Sequence, residues 1–318
     1  MPFRTELSGI KASIKGLFLN FYFWEYRKKP VDLQYPIYLI ITIDTEQDVD
    51  QQYQHTGTYC NIESGIQTLS SIFDKHTCKA TWMVTPDVAY QYPEIFKKMH
   101  DKGDEIGCHI HPEFFTRSSI ANLRHKEYLC NFSKDEQKHM VRKSTDIIEN
   151  ACGIRPVSFR SGRFGINSET LSILQENGYL IDSSMCPNVN WSKDGGPDWS
   201  DCPNAKPFFV GNILEVPITI LHVWGMNYWF RPSVSTTSTM KNIIDYLRFK
   251  PKGPVILNMM FHSMESINPN PYVPSNELIT RLDNILLYLK TINVTFITLS
   301  ELYYLMKKQR LESENAGN

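Results

Sequence analysis

The sequence predicts an α/β protein whose strands run parallel, either in an open sheet or in a barrel. Strand-like and helix-like segments alternate along the 318 residues, which is the order that βαβ units produce. Four apolar, β-prone segments also end in carboxylates, imidazoles or guanidinium groups: ITIDTEQD (41–48), GCHIHPE (107–113), SFRSGRFG (158–165) and MMFHSME (259–265). Because the carboxyl ends of parallel strands meet at one rim, these segments are expected to build one site.

The first half of the chain gives the clearest elements. The run 38–43 is apolar and follows Pro36, which predicts a buried strand. Helical spacing of Ile66, Leu69, Ile72 and Phe73 predicts a helix over 64–76. Further helices are predicted over 92–103, 134–153 and 167–179, each with a glycine at or near its end, and strands over 80–84, 105–110 and 156–160.

The second half continues the alternation after one interruption. Residues 185–212 are rich in Pro, Asn, Asp, Gly and Trp, which predicts a long loop over the mouth of the site. Strands are predicted over 213–218, 254–261 and 294–299, and a helix over 277–293. The polar residues 307–318 are expected to be disordered. The predicted division is an N-terminal extension (1–35), a catalytic domain (36–305) and a polar tail (306–318).

The N-terminal extension contains an apolar stretch, GLFLNFYFW (16–24), with basic residues on both sides. It is far shorter than the roughly 20 residues that span a bilayer, and it lacks a small-residue cleavage site. A helix packed on the domain is the favoured interpretation. The alternative is an interfacial helix, residues 11–29, that touches the inner face of a membrane or a partner.

Composition excludes some functions and indicates a compartment. The net charge of −1 gives no electrostatic case for nucleic-acid binding. The seven cysteines are odd in number and form no CxxC pair, which favours reduced thiols, with a Cys186–Cys202 bridge as the exception. With no secretory signal visible, a cytoplasmic enzyme is expected.

The pair His109 and His111 is the first candidate for metal binding. Residues i and i+2 of a strand share a face, so both imidazoles can approach one ion. Asp44 and Glu46 form a second same-face pair just beyond a very apolar strand, where a carboxylate is costly unless it is solvated, paired or bound to a metal. One of these acids could complete a site with two imidazoles, and the other could accept a proton from bound water. Glu113 is a further candidate ligand.

Three more residues follow predicted strands. Arg160 follows PVSF, Asp182 follows YLI, and His262 follows PVILNMMF. His262 could donate a proton to a leaving group, and Asp182 or Arg160 could orient the acid and the base.

In this order, the segments resemble the five motifs of the polysaccharide deacetylases, carbohydrate esterase family 4. The counterparts are Asp44-Thr45-Glu46, His109-Ile110-His111, Phe159 to Arg163, Asp182-Ser183-Ser184 and Met260-Phe261-His262. The phrases EIGCHIHP, RSGRFG, GYLIDSS and FHSME are most similar to a divergent branch found among lipopolysaccharide-biosynthesis proteins. The resemblance covers about residues 38–305.

The resemblance implies an irregular (β/α)7-type barrel and hydrolysis of an N-acetyl, N-formyl or O-acetyl group on a sugar or glycan. It implies a divalent metal ion, with Zn²⁺ favoured, held by Glu46, His109 and His111. It also implies Asp44 as base, His262 as acid, and Arg160 and Asp182 as the residues that set their charge states.

Two departures from the family pattern leave alternatives open. The family's acids are adjacent, so Asp44 and Glu46 could exchange roles here. Its second histidine stands four residues after the first, where this chain has Glu113, so either His111 or Glu113 could be the third ligand. Family members that lost a ligand act without metal on cyclic amides or ureides, and this remains an alternative, as does a carbohydrate-binding protein with a decayed site.

Overall fold

A computed structural model of the chain describes residues 35–49, 56–60, 62–115, 128–202, 205–249, 253–269 and 272–316. The strands are β1 (Ile37–Thr45), β2 (Thr81–Val84), β3 (Glu105–Ile110), β4 (Ser158–Ser161), β5 (Ile181–Asp182), β6 (Phe208–Val210), β7 (Ile213–Glu215), β8 (Ile220–Val223), β9 (Met226–Trp229), β10 (Val255–His262), β11 (Ile267–Pro269), β12 (Tyr272–Pro274) and β13 (Thr295–Phe296). The helices are α1 (Ile62–His76), α2 (Pro86–Gln91), α3 (Pro93–Asp101), α4 (Lys134–Cys152), α5 (Ser168–Glu176), α6 (Thr237–Phe249), α7 (Asn276–Thr291) and α8 (Leu299–Ala316).

The main sheet is a curled, parallel one. Its order is β10-β1-β2-β3-β4-β5-β7, and every pairing along this path is parallel. The short β13 pairs with the start of β1, and β6 adds an antiparallel edge to β7. The parallel pairing brings the carboxyl ends of β1, β3, β4 and β10 to one rim, as the sequence predicted.

The two ends of this sheet, β10 and β7, are connected by the segment that follows β7 in the chain. Thr219 donates its backbone N–H to the carbonyl of Asn258 on β10 (3.0 Å), and its hydroxyl accepts from the N–H of Asn258 (2.8 Å). Arg160 on β4 also reaches Thr42 on β1, a strand that is not its neighbour, at 2.8 Å. Such a contact crosses the concave side of the sheet, so the structure is an irregular barrel with a packed interior. The predicted α/β barrel class is confirmed.

The interior changes from apolar to polar towards the rim. Its lower layer holds Ile40, Met83 and Leu214, and Leu302 and Tyr303 of α8 pack against them. Side chains alternate along a strand, so Thr42 and Asp44 follow Ile40 on the same face of β1. The odd-numbered face, Leu39, Ile41 and Ile43, is buried in the larger core together with side chains of the outer helices. Because both faces of β1 are buried, its sequence is a continuous apolar run, and it ends in the carboxylate of Asp44 at the rim.

Local signals explain several helix ends. A capping box at α4 joins Ser133 and Glu136, and Gly153 ends the helix in the left-handed region (φ 69°). The predicted helices over 64–76, 92–103, 134–153, 167–179 and 277–293 correspond to α1, α3, α4, α5 and α7, with ends that differ by at most three residues.

Other predictions differ from the structure. The composition of the tail predicts disorder, but α8 continues through it to Ala316, because Leu299, Leu302 and Tyr303 in its first turns are buried and its later residues are good helix formers. The short helix α2, the hairpin β8–β9 and helix α6 were not predicted. The membrane-contact segment 11–29 lies outside the described residues, as does all of the 1–35 extension except its last residue. Among the described helices, none is long and apolar enough to cross a membrane.

Candidate metal and acid–base site

Three donor atoms converge at the rim where β1 and β3 end. Glu46 Oε2 lies 2.6 Å from His111 Nε2 and 3.7 Å from His109 Nε2, and the two Nε2 atoms are 3.0 Å apart. All three residues are buried. Glu46, His109 and His111 form the group of potential ligands that the described residues provide. One carboxylate and two imidazoles are a donor set that suits zinc and its neighbours.

The other ring nitrogens show that the two imidazoles fit a cation. His109 Nδ1 donates to the carbonyl oxygen of Arg160 (2.9 Å), and His111 Nδ1 faces Glu113 Oε1 (3.3 Å). With the protons on Nδ1, both Nε2 atoms carry lone pairs that point at each other. This arrangement is unfavourable unless a positive charge lies between them, so the residues present fit a divalent ion.

The electrostatics of the two imidazoles differ. Burial lowers the pKa of His109 to about 4, so this ring is neutral at neutral pH. Burial opposes a charge on His111 as well, but the carboxylates of Glu46 and Glu113 outweigh it and raise the pKa of His111 to about 10. The two carboxylates therefore favour a positive charge at this position, which is a proton on His111 or a cation that replaces it.

Asp44 is held by a fully buried arginine. Arg160 Nη1 donates to Asp44 Oδ1 (2.6 Å), and its remaining donors reach the hydroxyl of Thr42 and both the carbonyl and the hydroxyl of Ser183. Burial alone would raise the pKa of Asp44, but Arg160, His109 and His262 hold it below its ordinary value. Asp44 is therefore a carboxylate at neutral pH, with Oδ1 occupied by Arg160.

His262 lies opposite Asp44 in the register of β1 and β10. Its Nε2 is 3.4 Å from Glu46 Oε1 and 4.0 Å from Asp44 Oδ2. On the other side of the ring, Arg231 Nη2 lies 3.0 Å from Nδ1 and donates to Glu265 Oε1. Burial opposes a charge on His262, but Glu265 and Glu46 raise its pKa above the ordinary value. Because Arg231 donates towards Nδ1, the ring proton of a neutral His262 lies on Nε2, which faces the candidate metal site.

Asp182 does not lie beside His262. Its two carboxylate oxygens accept from the hydroxyl (2.6 Å) and the N–H (3.2 Å) of Ser184, and it stands opposite Glu215 in the register of β5 and β7. Ser184 in turn accepts the N–H of Ser161 (2.9 Å). Burial raises the pKa of both acids, that of Glu215 most, so Glu215 carries the proton of this pair. The contacts of Asp182 therefore connect it, through Ser184, to the end of β4.

An apolar wall stands beside the ionisable residues. Met260, two residues before His262 on the same face of β10, packs with Cys186, Ile218 and Ile220. The partly buried aromatic side chains that cover this cluster are Phe164, Trp191, Trp199 and Trp229. Trp191 and Trp199 come from the predicted loop 185–212. They offer flat apolar surfaces next to the candidate site.

The structure brings six of the seven predicted site residues into one cluster and places Asp182 behind it. The geometry favours His111 over Glu113 as a ligand, because Glu113 contacts the far nitrogen of the His111 ring. Sequence reasoning missed Arg231 and Glu215. Glu215 left one signal, an acid inside the apolar run ILEVPI, whereas Arg231 left none because its neighbourhood depends on the hairpin β8–β9.

Comparison with protein families matches the segment that carries the two histidines and Arg160. Residues 49–181 match the polysaccharide deacetylase family. This range includes His109, His111 and Arg160, while Asp44, Glu46 and His262 lie outside it and are joined to it by the fold.

Curated relatives are distant and longer than the part that matches. The chain is 23% identical over 172 residues to the peptidoglycan deacetylase of Helicobacter pylori, covering 49% of this chain and 53% of that protein. It is 27% identical over 160 residues to the peptidoglycan-N-acetylmuramic acid deacetylase PdaC of Bacillus subtilis, covering 49% of this chain and 31% of the relative. The matched part of the chain thus spans between about a third and a half of the length of these relatives.

Solved structures show the same fold. A probable polysaccharide deacetylase from Pseudomonas aeruginosa PAO1 superposes with a TM-score of 0.59 at 15% identity, covering 85% of this chain and 90% of that one. The Puue allantoinase superposes with a TM-score of 0.57 at 14% identity, covering 87% and 93%. At these identities the similarity supports the barrel fold and does not distinguish between activities.

Proposed function

We propose that the chain, whose residues 49–181 match the polysaccharide deacetylase family, is a metal-dependent hydrolase that removes an N-acetyl, N-formyl or O-acetyl group from a sugar or glycan. The observation that carries this proposal is the convergence of Glu46, His109 and His111 next to a carboxylate and an imidazole that are positioned from separate strands. Loss of a ligand would favour the metal-free alternative, and the presence of Glu46, His109 and His111 in one cluster supports the metal-dependent one.

The proposed roles follow from the atoms of each side chain that face the cluster. A divalent ion, with zinc the best match to the donors, would supply an acidified water and a positive charge for the developing oxyanion. Asp44 would accept a proton through Oδ2, because Arg160 occupies Oδ1. His262 would donate its Nε2 proton to the departing amine or alcohol. Arg160 keeps Asp44 ionised, and Asp182 keeps the end of β4 in place through Ser184.

The substrate class and setting are also part of the proposal. The aromatic wall suits the apolar faces of a sugar ring. The curated relatives are named peptidoglycan deacetylases, which supports an acylated amino sugar of a cell-surface polymer or its precursor, with lipopolysaccharide biosynthesis as the proposed setting. All seven cysteines are free thiols, which supports the proposed cytoplasmic location.

Metal analysis together with acetate release tests this function. The purified full chain should contain one equivalent of zinc or another divalent ion and release acetate from N-acetylglucosamine oligomers, and a chelator should abolish both. His109→Ala should lose the ion and the activity, because it removes one of three ligands. His139→Ala, which changes an exposed histidine on α4, is the matched control.

Two results would contradict the proposal. A His109→Ala protein that keeps stoichiometric metal would refute the ligand assignment. Hydrolysis of a cyclic amide by metal-free protein, without acetate release from the oligomers, would favour the alternative on the same fold.

A further inference from the structure

The ring of His111 is enclosed by residues that no part of the proposed reaction uses. Its Nδ1 faces Glu113 Oε1 at 3.3 Å, and the same oxygen accepts Arg163 Nη1 at 2.7 Å. Arg163 Nη1 is also 3.5 Å from His111 Nδ1. This separation is expected when both N–H groups donate to the same oxygen, here Glu113 Oε1. Arginine, carboxylate and imidazole therefore form a chain that ends at a proposed ligand.

The faces of the ring are also fixed. A methyl group on Gly162 would stand 2.7 Å from three atoms of the His111 ring, so the backbone of Gly162 lies directly against it. The ring of Phe114 lies on the imidazole as well, with 5.6 Å between centroids. The ring cannot rotate without moving one of these groups, so the direction of Nε2 is defined by its surroundings.

The backbone that carries Arg163 is strained. Arg163 (φ 52°) and Phe164 (φ 58°) are consecutive non-glycine residues in the left-handed region. This conformation is unfavourable for residues with a Cβ atom, and it persists where surrounding contacts hold it. The turn places the guanidinium of Arg163 on Glu113, whose side chain is mostly buried (18% exposed). The ion pair is one of the contacts that offset the strain.

We propose that Glu113 and Arg163 are positioning residues that fix the tautomer and the direction of His111 and thereby set the affinity and geometry of the metal site. This inference rests on the metal-dependent function proposed above. Glu113 holds the ring proton on Nδ1, which leaves the Nε2 lone pair for the ion and makes the imidazole a better electron donor. Arg163 holds the carboxylate in the orientation that this contact needs.

Metal affinity separates this role from a purely structural one. Glu113→Gln keeps an oxygen that can accept from Nδ1 but removes the charge. Competition with a chromophoric chelator should show a Kd for zinc that is higher by about 10-fold to 100-fold. The visible spectrum of the Co²⁺-loaded variant should also shift, because the ligand field depends on the direction of His111. Glu149→Gln, which breaks the exposed Arg155–Glu149 pair, is the matched control and should bind zinc as the wild type does.

Arg163→Ala tests the second link and remains informative if Glu113→Gln does not fold. Alone it should raise the zinc Kd on the order of 10-fold, and in the Glu113→Gln background it should add little, because it acts through the carboxylate. Equal zinc affinity and equal Co²⁺ spectra in the wild type and both variants would overturn the inference while leaving the proposed function intact. A wild-type chain that binds no divalent ion would overturn both.

Discussion

The buried pair of Asp44 and Arg160 allows a sharp stability prediction. Arg160 is completely buried, and Asp44 is 3% exposed. Arg160→Met keeps much of the side-chain length and removes the charge, which leaves the Asp44 carboxylate buried without its main partner. Breaking one side of a buried ion pair in this way costs about 3–5 kcal/mol. The hydroxyl of Thr42 and the carbonyl of Ser183 also lose their donor, so the upper part of this range is expected.

The cost should depend on pH with a definite sign. In the wild type the folded pKa of Asp44 lies below 3.8, so the pair stabilises the fold above that pH, and this stability is lost as the pH falls through the lower folded value. Without Arg160, burial is no longer offset and the folded pKa rises. The variant then loses stability as the pH increases above 3.8. The difference between the two proteins should be largest at neutral pH and shrink towards acid.

Urea unfolding of the metal-free proteins over a pH series measures this difference. Arg155→Met, which removes a half-exposed arginine from a surface pair, should change the free energy of unfolding by at most about 1 kcal/mol and serves as the control. Adding Asp44→Asn to Arg160→Met should recover part of the loss, because no charge is then left buried. A loss below about 1 kcal/mol for Arg160→Met, or a loss that is independent of pH, would refute the reasoning.

The remaining predictions concern the acid and the buried carboxyl pair. His262→Ala should lower kcat by about 10²- to 10⁴-fold and flatten the alkaline limb of the pH–rate profile, with little change in substrate binding, because leaving-group protonation matters only in the transition state. A folded variant with an unchanged profile would contradict this role. Glu215, whose pKa is raised by burial, contributes stability that is fully present below pH 4.5 and decreases as the pH rises towards the raised folded value. Glu215→Gln cannot ionise and should remove this decrease in a urea titration, whereas an unchanged slope would assign it to another group.

The rim of the barrel could be predicted because each site residue lies at the end of an apolar strand. A period of two puts His109 and His111, or Asp44 and Glu46, on one face, and the parallel arrangement brings those faces together. Register completes the convergence, since Asp44 stands opposite His262 and His109 opposite Arg160. These are short-range signals, and the folded structure keeps them.

Other parts of the site and of the fold depend on long-range contacts that no local sequence pattern indicates. Asp182 lies on a strand of two residues, which is too short for alternation to show which face is buried. Arg231 reaches His262 only because the hairpin β8–β9 returns the chain to the site. The polar composition of the tail predicted disorder, but Leu302 and Tyr303 attach α8 to the lower end of the barrel and the helix continues from there.

The polar layer beneath the site also bears on which chemistry the site supports. Arg160 lies below Asp44, and its charge keeps the pKa of this carboxyl low, which makes Asp44 a weak base. Ordinary water, with a pKa of about 15.7, is too weak an acid for such a base to deprotonate readily. A cation beside the base lowers that barrier by acidifying the water, and the donors of Glu46, His109 and His111 stand where such a cation is needed. The buried arginine and the three-donor cluster are therefore mutually consistent, which supports the metal-dependent proposal over its metal-free alternative.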